Sequence, residues 1–174
     1  MQKLRQHYKK RSNKLFTFEN YQRKYLAQMT KVWNDVLKDG DAFPGEELFT
    51  EEEFETYVAE QTIVRCMIIK EKLAGFYVLH PNNIGRCSHV ANASYCIDKS
   101  YRGRKIFSNL VEDSLIQAKA QGFIGMQYNA VVTSNLPAIH TYQKNGFTTV
   151  GTIPAGFRLK DGRYSDMYIM YKDL

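Results

Sequence analysis

In this 174-residue chain the side chains best suited to chemistry gather between positions 94 and 146. Tyr101-Arg102-Gly103-Arg104-Lys105 is a basic glycine turn, preceded by a charge-poor run ending at Ile97 and followed by an apolar pattern opening with Ile106 and Phe107. A strand fed into a helix through such a turn leaves unpaired backbone N–H groups at the positive end of the helix, which suits a phosphate or diphosphate. Arg102, Arg104 and Lys105 add side-chain charge there. A capped helix start with solvated basic residues has the same sequence. Downstream, Asn135, Ala138 and Tyr142 are spaced i, i+3 and i+7 and share one helix face. An amide, a small gap and a phenol in line suit a long polar ligand with the phenol at its reactive end. Taken alone, Tyr142 is more often a core tyrosine.

Other polar groups offer themselves more weakly. Asn92 and Asn129 sit in apolar runs, where an amide needs a partner; both suit a proton-relaying water or a ligand. Glu46 begins an acidic stretch over residues 46–55 that would attract a cationic amine. A solvated helix start favoured by the macrodipole explains that stretch as well. His89 has the chemistry of a general base and also the look of a structural or surface histidine. Cys96 has no His or Asp beside it in sequence, so it reads as a packed thiol rather than a nucleophile.

These residues need elements to hold them. Residues 15–18 form a short β run. Tyr25, Met29, Val32, Trp33, Val36 and Leu37 recur at three- and four-residue steps, predicting a helix that stops at Gly40. Phe43-Pro44-Gly45 turns the chain, and Thr50-Glu51-Glu52-Glu53 has the capping-box pattern of a second helix. Residues 62–69 and 73–79 read as strands about a turn at 70–72, and 90–97 as a third, poor in charge and therefore central. Helical steps return over 104–121 and stop at Gly122. Residues 123–132 form a nearly uninterrupted apolar strand, as a buried parallel neighbour would. A short helix over 136–144 carries Pro137 in its first turn. Strands over 147–153 and 167–171 follow, with a hairpin around Asp161-Gly162 between them. The order βααβββαβαββ predicts an α/β fold built on one mixed sheet.

Asn135-x-x-Ala138-x-x-x-Tyr142-x-x-x-Gly146-Phe147, preceded by Arg102-Gly103 opening a helix, resembles the GNAT superfamily of acyl-CoA-dependent N-acetyltransferases. The likeness runs from about Leu15 to the C-terminus, and Gly151-Thr152-Ile153-Pro154-x-Gly156-Phe157-Arg158 is similar to the tail of small bacterial members. It implies a twisted mixed sheet of about seven strands flanked by about four helices. That sheet would splay between its two central parallel strands, around 95–97 and 128–131, to admit acetyl-CoA. By this resemblance Arg102, Gly103, Arg104, Lys105, Ile106 and Phe107 form the phosphate loop, with Asn135 and Ala138 along the cofactor. Backbone N–H groups near Cys96 and Ile97 would polarise the thioester, and Tyr142 would protonate the departing thiolate. The implied reaction is direct attack by a primary amine of a small molecule in a ternary complex, without a metal. Glu46, Asn92 and Asn129 would then lie on the acceptor side. The family's phosphate loop reads Arg/Gln-x-x-Gly-x-Gly/Ala, whereas this chain has Lys105 and Phe107 at the small positions. Glycine there lets backbone approach a diphosphate closely. Either Lys105 replaces lost contact with charge while Phe107 turns into the core, or the loop no longer accepts the cofactor. The second alternative describes a catalytically degenerate acyl-CoA-binding or interaction domain.

Composition narrows the remaining choices. Hydrophobic residues are 44% and charged residues 24%, ordinary for a globular domain and unlike a disordered or fibrous chain. No apolar run approaches the ~18 residues of a membrane span, and the opening residues contain no signal-peptide core, so a cytoplasmic protein without a membrane partner is expected. Cys66, Cys87 and Cys96 are odd in number and widely spaced, which fits free thiols in a reducing compartment. The net charge of +6 is concentrated at the start, where residues 1–24 hold eight basic side chains against Glu19 alone. The arm over 1–14 is set apart from a domain over 15–174. It has few aromatics and no nucleic-acid motif, which argues against a nucleic-acid partner. A monomer or homodimer is expected.

Overall fold

The computed structural model describes residues 16–103 and 105–174. The basic arm over 1–14, Leu15 and Arg104 lie outside the described residues. The elements follow in chain order: β1 (Phe16–Asn20), α1 (Leu26–Asp39), α2 (Glu51–Ala59), β2 (Ile63–Ile69), β3 (Lys72–Pro81), β4 (Val90–Ile97), α3 (Ile106–Ala120), β5 (Gly125–Val132), α4 (Leu136–Lys144), β6 (Thr148–Arg158) and β7 (Tyr164–Asp173). This is the order that the periodicity predicts.

Each helix is bounded by its own chemistry. α1 buries Met29, Val32, Trp33, Val36 and Leu37 on one stripe and ends at Gly40, whose φ of 68° closes the last turn in the left-handed region. In α2 the capping box forms: the Glu53 N–H donates to the Thr50 hydroxyl and the Thr50 N–H to the Glu53 carboxylate. α4 starts at Asn135, whose Oδ1 accepts the Ala138 N–H at 3.3 Å.

The seven strands form one sheet in the order β1-β2-β3-β4-β5-β7-β6. Every neighbouring pair is antiparallel except β4 and β5. α1 and α2 pack one face, with Phe54, Phe76, Val78 and Cys96 in that core. The other core collects Tyr77, Tyr95, Leu110, Met126, Tyr128 and Tyr142, beneath α3 and α4. Gly75 permits the close fit of β3, β4 and α3: a Cβ there would meet the Cys96 carbonyl oxygen at 2.7 Å and Leu110 at 3.2 Å.

Several strand boundaries differ from the sequence reading; β7, for one, begins at Tyr164 rather than at 167. β5 begins at Gly125, two residues later than the apolar run, and Ile124 just before it faces solvent at 60% exposure. β6 continues through Pro154 to Arg158. It can do so because it is the sheet edge, where proline's missing donor has no ladder to break. The extra residues are absorbed by a register irregularity between Ile153 and Phe157, with Ala155 at φ 49°. Among the described residues no helix is long and apolar enough to cross a membrane.

Candidate active site

β4 and β5 are paired only at Val90–Gly125 and Ala91–Met126, and then part. The β3 register decides what the parting exposes. The Asp98 N–H donates to the Ala74 carbonyl at 3.1 Å and the Asn82 N–H to the Val90 carbonyl at 2.7 Å. The even-numbered residues of β4 therefore bond β3, and the backbone groups of Ala93, Tyr95 and Ile97 face the gap. A cleft of about 780 Å³ occupies that gap. Ile97 lies on its wall. Cys96 is not brought into it: its backbone faces β3, and its side chain is fully buried in the α1 core. Burial pushes the Cys96 thiol well above its ordinary range, so it stays protonated.

The basic turn borders one end of this cleft. Asp98 accepts the Ser100 N–H at 2.9 Å and starts the turn over Lys99–Tyr101. Gly103 then has φ 76°, and Lys105, the residue before α3, has φ 60° and ψ 15°. Lys105 thus holds a backbone conformation natural to glycine, and its side chain does not cap the α3 N-terminus. Arg102, Gly103, Lys105, Ile106 and Phe107 all line the cleft. The Phe107 ring is packed 5.5 Å from Tyr95 and 5.4 Å from Tyr142, centroid to centroid. Backbone donors at a helix start, with Arg102 and Lys105 beside them, fit a diphosphate.

Asp39, missed in the sequence reading, also borders the cleft. It accepts from Lys99 Nζ and from Arg102 Nη2, each at 2.9 Å. Burial raises its carboxyl, but these two cations outweigh burial and hold it below the ordinary value. One signal was available: an aspartate in the last turn of a helix opposes the macrodipole and needs cations from elsewhere.

α4 presents Asn135, Ala138 and Tyr142 to the cleft together, as their spacing predicts. Asn135 spends its Oδ1 on the helix start. Tyr142 is packed 4.3 Å from the Tyr128 ring and 5.6 Å from Phe147. Its hydroxyl makes no hydrogen bond to any described residue. Burial, and then Tyr95, push its pKa well above the ordinary phenol value. Beneath it, the Tyr95 hydroxyl shares 2.6 Å hydrogen bonds with Tyr128 and Ser114.

On the α1 side Asn92 and Asn129 line the cleft and converge on one atom. Their amides donate to Asn82 Oδ1 at 3.1 and 2.6 Å, and Gln127 donates to Asn129 Oδ1 at 2.8 Å. Asp41, Ala42, Phe43 and Pro44 complete this wall, and Asp41 forms no ion pair among the described residues. Glu46 is not among the lining residues; it pairs with Arg158 at 2.6 Å. His89 also lies off the cleft, its ring against the Arg86 carbonyl. Among the described residues no three His, Cys, Asp or Glu side chains gather as metal ligands.

Comparison with known proteins agrees with this geometry. The sequence pattern described as "Acetyltransferase (GNAT) family" matches residues 14–147. The chain is 28% identical over 162 residues to the N-acetyltransferase aca1 of Schizosaccharomyces pombe, covering 83% of this chain and 78% of that protein. Its fold superimposes on a GCN5-related N-acetyltransferase from Kribbella flavida with a TM-score of 0.85 at 23% identity, over 91% of this chain and 98% of the other. The yncA acetyltransferase from Salmonella typhimurium, solved with its cofactor acetyl-CoA, gives 0.85 at 15% identity, over 91% and 94%.

Proposed function

The chain belongs to the acetyltransferase (GNAT) family and is an acyltransferase; from that premise we propose that it moves an acetyl group from acetyl-CoA to a primary amine by direct attack in a ternary complex. The observation that carries this reading is the parting of β4 from β5 after Ala91 and Met126. It turns Tyr95 and Ile97 backbone donors toward a cleft that also holds a basic helix start and a buried phenol. Acetyl-CoA supplies an activated thioester, and each wall then has a task. The loop of Arg102, Gly103 and Lys105 with the α3 N-terminus binds diphosphate oxygens. The Ile97 N–H holds the developing oxyanion, which is stabilised best by donors already fixed in place. The face of Asn135, Ala138 and Tyr142 orients the thioester arm. The ammonium gives one proton to solvent before it attacks, and the Tyr142 hydroxyl gives its proton to the leaving sulfur. The second proton, shed by the nitrogen as the amide forms, returns through water to the phenolate.

The α1 wall is assigned to the acceptor. Asp41 supplies negative charge to an incoming ammonium, and the Asn82–Asn92–Asn129 amides offer neutral polar contacts. The test is release of free thiol when acetyl-CoA is mixed with a panel of primary amines, among them amino acids, polyamines and a short peptide. Amine-dependent thiol release with a matching acetylated product is expected. Thiol release that no amine accelerates would overturn the assignment of an amine acceptor.

A further inference from the structure

We propose that Asp39 is a positioning residue for acetyl-CoA: it fixes Arg102 and so ties the phosphate loop to the α1 wall of the cleft. The proposal rests on the acetyl-CoA reading above and concerns a residue outside its anion-binding loop. Asp39 ends α1, where the helix carbonyls disfavour a carboxylate. Both of its oxygens are nevertheless committed, Oδ1 to Lys99 and Oδ2 to Arg102. These partners lie 60 and 63 residues away in sequence, on the turn that leads from β4 into α3. Arg102 has no second partner among the described residues, and its side chain is 49% exposed. Without Asp39 the guanidinium would be a mobile charge on a glycine turn. With one nitrogen anchored, the rest of its planar fork is held beside the cleft, where bidentate recognition of phosphate depends on orientation. The same contact fixes the point from which Asp41, Ala42, Phe43 and Pro44 set out along the acceptor wall.

Simple charge bookkeeping makes the opposite forecast. A carboxylate beside an anion site repels the anion, so its removal should tighten binding. The sign of the effect therefore separates positioning from mere neutralisation. Acetyl-CoA affinity would be measured by calorimetry for the parent, Asp39→Ala, Asp39→Asn, Arg102→Ala and the double variant Asp39→Ala/Arg102→Ala, each checked for a parent-like melting transition. Positioning predicts that Asp39→Ala weakens acetyl-CoA binding roughly five- to twentyfold, within the usual range of coupling between contacting residues. Asp39→Asn, which keeps an acceptor oxygen but no charge, should fall between. In the Arg102→Ala background the Asp39→Ala change should alter affinity less than about twofold, because its route of action is gone. A purely structural role would leave that second effect undiminished, and such a result overturns the proposal. Unchanged or tighter binding by Asp39→Ala overturns it as well. Failure of the parent to bind acetyl-CoA would instead remove the acetyl-CoA reading, and the proposal with it.

Discussion

Tyr142 stands in an environment that keeps its proton without holding its hydroxyl. The ring is packed among Tyr128, Phe107 and Phe147, yet the hydroxyl has no hydrogen-bond partner among the described residues. Deleting that hydroxyl thus removes chemistry and little else. A general acid typically contributes ~10²–10⁴ in rate, so Tyr142→Phe should lower single-turnover acetyl transfer by at least about tenfold. Acetyl-CoA affinity should hardly change, because the hydroxyl matters as the thiolate leaves. The melting temperature should also hold, since no hydrogen bond worth ~1 kcal/mol is lost. A variant that melts like the parent and transfers acetyl at the parent rate would pass the acid's role to solvent. The spacing of Asn135, Ala138 and Tyr142 made this face legible in the sequence. The partners of Asp39 were hidden, because its ion pairs join segments 60 residues apart that no local pattern connects.

The turn between β4 and α3 is where local rules and function pull apart. Lys105 adopts φ 60°, at a cost of roughly 1–2 kcal/mol for a residue with a Cβ. Glycine would relieve that strain, while its larger unfolded-state entropy returns ~0.5–1 kcal/mol. Lys105→Gly should therefore melt at or slightly above the parent temperature. Its acetyl-CoA affinity should fall roughly two- to fivefold, the range of a partly exposed charge pair, and depend less on salt. Tighter binding by the glycine variant would mean that the lysine obstructs the loop. The elements around this turn were largely readable, because apolar steps of three and four set the helices and charge-poor runs set the strands. The far end of β6 was not. Pro154 and Gly156 have the look of strand breakers, and only the strand's place at the sheet edge lets it run past them.

At the scale of the molecule, the sequence order leads naturally to a mixed sheet, but no periodicity says that β4 and β5 should part after two residue pairs. The core beneath α3 and α4, on one side of that splay, fills with phenols. Tyr77, Tyr95, Tyr128 and Tyr142 are all buried, and burial is the first cause that raises each one's pKa above the ordinary phenol value. Tyr77 is raised further by the Asp113 carboxylate, to which its hydroxyl donates at 2.7 Å. The sign for stability follows from proton counting. Above about pH 10 the unfolded chain releases these protons while the folded chain keeps them, so stability falls as pH rises. Each such phenol contributes a slope of about 1.4 kcal/mol per pH unit until it ionises in the folded state. Urea midpoints should therefore stay nearly level on the approach to pH 10 and drop steeply beyond it. Phenolate absorbance from the buried group should rise only as the chain unfolds. Acetyl transfer lost at high pH should track unfolding rather than an earlier ionisation of Tyr142. If Tyr77, Tyr95, Tyr128 and Tyr142 titrated near pH 10 with the fold intact, the buried phenol core would not exist as described, nor would the protonated acid it protects.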